Sequence, residues 1–145
     1  MTDASVSRAT ARTVRERASF CCEYCFSQWK YCPDPLSVEH IIPKARGGSS
    51  DESNLALSCQ GCNGHKHLAV SAIDPVTEKE VPLYHPRRDT WSDHFAWSSD
   101  FSEVIGKTPT GRATAERLRL NRDSLMNLRI VLCTFGKHPP VITRR

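Results

Sequence analysis

Leu55-Ala56-Leu57-Ser58-Cys59-Gln60-Gly61-Cys62-Asn63 runs from a short apolar segment of strand length straight into a Cys-x-x-Cys pair. A second pair, Cys22-Glu23-Tyr24-Cys25, stands upstream, with the 33 residues from 26 to 58 between them. Thiolates at that spacing let one tetrahedral zinc ion take two ligands from each knuckle. Four thiolates fill the coordination sphere and leave no position for water, so Cys22, Cys25, Cys59 and Cys62 predict a structural Zn²⁺ site. Cys21, Cys32 and Cys133 have no companion at ligand spacing and read as plain thiols, with Cys21 or Cys32 as a substitute ligand.

Working outward, Leu36 to Ile42 reads as a strand that stops at Pro43, and Lys44 to Ser53 as a polar loop around Gly47-Gly48. Leu55 to Ser58 is a second strand, and Asn63 to Val70 has the length of a short helix. Strand, loop, strand, knuckle and helix together make a ββα unit. Ahead of it, Ser7 to Ser19 reads as a helix, with Val6, Ala9 or Ala11, Val14 and Ala18 near helical spacing. Behind it, Ile73 to Tyr84 reads as a hairpin turning through Pro75-Val76-Thr77-Glu78. Trp91, Phe95, Trp97 and Phe101 form a satellite core, an aromatic stripe that more often packs than binds a cofactor. Two helices close the chain: Arg112 to about Leu118, then one capped by Asn121, with Asp123 in its first turn and Leu125, Leu128 and Leu132 on one face, reaching about Thr134. The expectation is an α+β fold in a single domain over 1–145, with its core at about 20–70 and a C-terminal hairpin and basic helical extension over 71–145.

Glu39-His40-Ile41-Ile42-Pro43 sets a carboxylate beside an imidazole at a strand end, followed by Gly47-Gly48, Asn54-Leu55 and Cys62-Asn63, with Lys66 and His67 one turn on. Residues 38–48 and 54–66, from Val38 through Gly48 and from Asn54 through Lys66, resemble the HNH (His-Asn-His) endonuclease family in its zinc-knuckle branch. The likeness covers Cys22 to His67, about a third of the chain. It implies the ββα-metal fold, one catalytic divalent cation, Mg²⁺ or Mn²⁺, and cleavage of phosphodiester bonds. By the same resemblance His40 is the general base, and Asn54 braces the loop that orients it. Glu39 stands where the family places an acidic metal ligand, usually Asp. Asn63 matches the ligand at the start of the helix, with His67 as a further ligand on the same face. His65 lies about 200° round an ideal helix from Asn63, so it does not simply share that site. The chemistry is consistent: a near-neutral imidazole accepts a proton at cellular pH, and general-base help is worth about 10²–10⁴-fold. A hard cation on oxygen ligands neutralises charge on the phosphoryl and leaving oxygens.

Formal net charge is +4, unevenly spread: residues 107–145 carry nine Lys/Arg against two acids, the first 106 eleven against fourteen. Such asymmetry points to a polyanion, DNA on this reading, or to a solvated helix face, and nominates Arg112, Arg117, Arg119, Arg122 and Arg129 as backbone contacts, with pairing of several to acids of the first half as the alternative. No stretch of eighteen apolar residues predicts a membrane span, and residues 1–10 lack the apolar core of a secretory signal, so a soluble cytoplasmic protein is expected. Two other classes compete. A catalytically inactive zinc module binding nucleic acid or protein needs only the cysteines and the core, whereas Glu39, His40, Asn54 and Asn63 are all present. A redox protein would not explain two pairs at zinc spacing.

Overall fold

The computed structural model describes residues 5–142, which fall into two compact units, one of residues 5–70 with 141–142, the other Ser71–Pro140. The fold is α+β, with short helices and antiparallel strand pairs.

The first unit opens with helix α1 (Arg8–Arg17). Ser7 caps it, its hydroxyl accepting from the Thr10 backbone N–H, and Ala11 and Val14 form its buried side. Arg17 ties the far end down by donating to the Glu52 and Leu55 carbonyls at 2.8 and 2.6 Å. Strands β1 (Ser37–His40) and β2 (Leu55–Ser58) pair antiparallel, with Ser37 opposite Ser58 and His40 opposite Leu55. Every β2 residue is buried, and so is every β1 residue except His40. Helix α2 (Gln60–Lys66) packs on β1 and completes the ββα unit.

Two boundaries differ from expectation. Strand β1 ends at His40, not Ile42, because Ile42 gives its backbone groups to the Asn54 side chain instead of a strand partner. Helix α2 starts three residues before Asn63, because Cys59 is its N-cap, its sulfur taking the Cys62 backbone N–H at 3.4 Å. It ends at Lys66, where His67 turns to φ 51°.

The second unit holds two hairpins, β3 (Ser71–Ile73) with β4 (Glu80–Pro82) and β5 (Phe95–Trp97) with β6 (Val104–Gly106). The single-turn helix α3 (Trp91–His94) leads into β5, and α4 (Pro109–Arg117) packs against β6 and the first hairpin. Helix α4 begins at Pro109 because Thr108 caps it, and proline suits the first helical turn. Helix α5 (Asp123–Thr134) follows. Asn121 does not cap it: its amide clamps Val104, accepting from N–H at 2.7 Å and donating to C=O at 2.9 Å. The aromatic cluster forms, with Trp91 centred 5.1 Å from Phe95 and 5.4 Å from Trp97, but Phe101 is exposed and His138 stacks edge-on against Trp97 instead.

Candidate metal centre and active site

Strand β2 delivers Cys59 and the first turn of α2 delivers Cys62. The opposing knuckle is a tight loop in which Cys22 N–H donates to Ser27 C=O and Phe26 N–H to Cys22 C=O, both at 2.9 Å. Glu23 fastens that loop to β2, its backbone N–H donating to Leu57 C=O and its carboxylate accepting from Leu57 N–H, each at 2.9 Å. The result is four buried sulfurs within 4.8 Å of one another, at Cys22, Cys25, Cys59 and Cys62. Cys25 and Cys59 Sγ are 3.7 Å apart, far beyond a disulfide bond. Four thiolates about 2.3 Å from a tetrahedral ion stand about 3.8 Å from each other, so the donor set fits zinc. Within the quartet the shifts oppose one another: burial pushes the Cys22 thiol up, whereas hydrogen bonds from Cys22, Cys25 and Cys62 hold Cys59 below its ordinary value, so a metal must displace protons from the cluster to bind. Cys21 is outside the cluster; burial pushes its thiol up to about 11, and its Sγ faces the Ser19 carbonyl. Cys32 and Cys133 are half-buried and form no disulfide.

The neighbouring residues of β1 then part company, as alternation along a strand requires. Glu39 turns inward and is buried; Tyr24 donates its hydroxyl to Oε2, and Lys66 Nζ lies 3.4 Å from Oε1. Burial raises the Glu39 carboxyl above its ordinary value, opposed by the ammonium of Lys66 and the Tyr24 bond. Lys66, itself 1% exposed, also donates to the Ile41 carbonyl at 2.7 Å.

His40 is half-buried, at the strand's end, with Nε2 3.0 Å from Ser50 Oγ. Ser50 Oγ lies a further 3.0 Å from Ser5 Oγ, just ahead of α1. The loop between is clamped by buried Asn54, which accepts from Ile42 N–H at 2.9 Å and donates to the Ile42 and Ser49 carbonyls at 3.0 and 2.8 Å. Gly48 is required here, since a Cβ would lie 1.7 Å from the Ile42 oxygen.

Asn63 is half-buried in the middle of α2. His67 is exposed at the helix end with non-helical backbone, so regular helical spacing does not carry it onto the face of Asn63; His65 is half-buried. The cysteine quartet is the one cluster of three or more His, Cys, Asp or Glu ligands among the described residues. For a catalytic divalent cation, the amide oxygen of Asn63 is a suitable donor, whereas Glu39 as it stands is not, because both its oxygens are engaged inside the protein. Tyr24, Ser50 and Lys66 were given no role from sequence. The signal for Lys66 was a carboxylate on the inward side of a strand, which requires a buried cation or donor.

Of the five nominated arginines, Arg112 forks Asp74 through two 2.9 Å bonds. Arg129 is buried, donating to the Ser102 and Leu120 carbonyls and stacking 5.2 Å from the Trp97 ring centre. Arg122 donates to the Leu118 and Arg119 carbonyls. Arg117 and Arg119 present exposed side chains.

Comparison with known proteins agrees with this geometry at the level of family: the HNH endonuclease family matches residues 22–68. No curated protein and no solved structure matches the chain.

Proposed function

With an HNH endonuclease segment at residues 22–68 as premise, we propose that the protein is a metal-dependent DNA endonuclease in which His40 is the general base that activates water against a phosphodiester. The observation that carries this reading is the mounting of His40. It alone on β1 reaches the surface, and the loop behind it is locked by three Asn54 side-chain hydrogen bonds. A base so fixed meets the geometric demand of proton transfer without reorganising.

In the proposed mechanism His40 takes the proton of the attacking water, and Ser50 steadies Nε2. Asn54 acts through the loop and touches no reacting atom. A divalent cation such as Mg²⁺ or Mn²⁺ would neutralise charge on the scissile phosphate. Asn63 would hold it, His67 would join only if its residue beyond the helix end swung toward Asn63, and Glu39 only by giving up Lys66. The cysteine-bound zinc has no free position and serves structure. Working in the cytoplasm, where thiols stay reduced, fits a metal site of four cysteines.

One observation favours a second reading, a catalytically inactive zinc module that binds nucleic acid: the family's acidic ligand position is internally neutralised by Lys66. Supercoiled plasmid separates the two. Zinc-loaded protein with Mg²⁺ or Mn²⁺ is expected to relax or linearise it, and His40→Ala with full zinc content to be slower by about 10²–10⁴-fold. Equal cutting by His40→Ala removes the base assignment, and binding without any cutting selects the second reading.

A further inference from the structure

Helix α1 carries Arg8, Arg12 and Arg15, which fall within about 60° of arc on an ideal helix, with Arg15 bordering the buried side of Ala11 and Val14 and Arg8 and Arg12 turned away from it. Arg8 and Arg12 are exposed and Arg15 half-buried. None of the three side chains makes an ion pair or hydrogen bond among the described residues, and Glu16, the helix's one acid, pairs with none of them. For an isolated helix the arrangement is unfavourable. Like charges a turn apart repel, and Arg8, at the first helical position with no acid in the first turn, opposes the positive end of the helix dipole. A polyanion laid along this face would relieve both penalties. Arginine suits it better than lysine, since its fork matches phosphate oxygens.

The helix is also aimed. Its leading end connects through Ser5 and Ser50 to His40 in two 3.0 Å steps, and its trailing end is held by Arg17 on the carbonyls of Glu52 and Leu55. The helix that carries the stripe is therefore fastened at both ends, and its leading end is tied to the loop of the candidate base. By contrast Arg112, Arg122 and Arg129 of the second unit are spent on internal bonds. We infer that Arg8, Arg12 and Arg15 form the phosphate-binding surface for duplex DNA, holding the backbone of the duplex presented to His40. This rests on the proposed nuclease reading for its substrate, but binding can be measured without cleavage.

The test uses the zinc-loaded full chain carrying His40→Ala, without divalent cation, and the fluorescence anisotropy of a labelled DNA duplex across a salt series. Each lost phosphate contact lowers the slope of log affinity against log salt by about 0.9, so Arg8→Gln/Arg12→Gln/Arg15→Gln should lower it by about 2–3. Affinity at moderate salt should fall by about tenfold or more in the same variant. Arg12→Lys should keep the slope, and Arg117→Gln/Arg119→Gln should change it less than the triple variant. Helicity and zinc content confirm that each variant is folded. An unchanged slope and affinity in a folded triple variant overturns the inference, and so does failure of the parent to bind duplex. If the stripe governs binding while the plasmid assay shows no His40-dependent cutting, the catalytic reading alone falls.

Discussion

Asn54 satisfies both backbone groups of Ile42, its Oδ1 accepting from the N–H at 2.9 Å and its Nδ2 donating to the C=O at 3.0 Å. This reciprocal pair, two residues past His40, stops β1 at His40 and fixes the loop that returns through Gly48 to Ser50. Asn54→Ala removes these bonds and the one to Ser49, and should cost about 2–4 kcal/mol in denaturant unfolding. Plasmid cutting should fall while zinc content stays at the parental level. Asn54→Asp keeps the acceptor but sets a carboxylate against two carbonyls, so it should rescue little; full rescue would show that the Nδ2 bonds are unimportant.

The cysteine quartet predicts one zinc per chain. Cys59→Ser should lose the metal and with it the fold of the first unit, even though serine can still cap α2, because the cluster needs its fourth sulfur. Cys21→Ser should keep full metal content, read by elemental analysis and thiol titration. Since thiolates bind and thiols do not, zinc retention should weaken steadily on acidification.

Lys66 and Glu39 are both buried, so removing one leaves the other without its charge partner. Lys66→Met should destabilise by about 3–5 kcal/mol, and the double variant Glu39→Gln/Lys66→Met should recover much of that. Equal stabilities of single and double variants would dissolve the pair as a stabilising unit.

Asp74 is fully buried, and the Arg112 fork, followed by the N–H groups of Val76 and Thr77, holds its carboxyl well below the usual carboxylate range. A depressed folded value means that this residue's contribution is complete above the unfolded carboxylate value, about 4, and is lost as pH falls below it. In a Trp29→Phe background the remaining tryptophans, Trp91 and Trp97, report the second unit alone. There, the stability gap between parent and Asp74→Asn should be widest near neutral pH and narrow below about pH 4. A gap constant across that range would mean that the carboxylate's charge contributes nothing.

The cysteine spacing and the short apolar run from Leu55 to Ser58 were sufficient to place the metal cluster and β2, since both are local patterns with few alternatives. Other features were set by partners distant in sequence. A thiol as N-cap lies outside the Ser, Thr, Asp and Asn preference, so α2 was expected three residues late. The hairpin of β5 and β6 has strands of three residues, too short for periodicity to register. The strand alternation that puts Glu39 and His40 on different faces was legible, but its consequence, a carboxylate consumed by Lys66 and Tyr24, depends on where α2 packs. Arginine counting also misled: Arg112 and Arg129 are indistinguishable from surface residues until Asp74 and Trp97 are seen beside them.

Cys62 and Asn63 are joined by a single peptide bond inside α2, so a zinc ion held by the cysteine cluster would also set the bearing of the amide next to it. Loss of the ion would therefore slacken the cysteine cluster and unseat that amide in a single event, however far the amide's own ligand lies from the sulfurs.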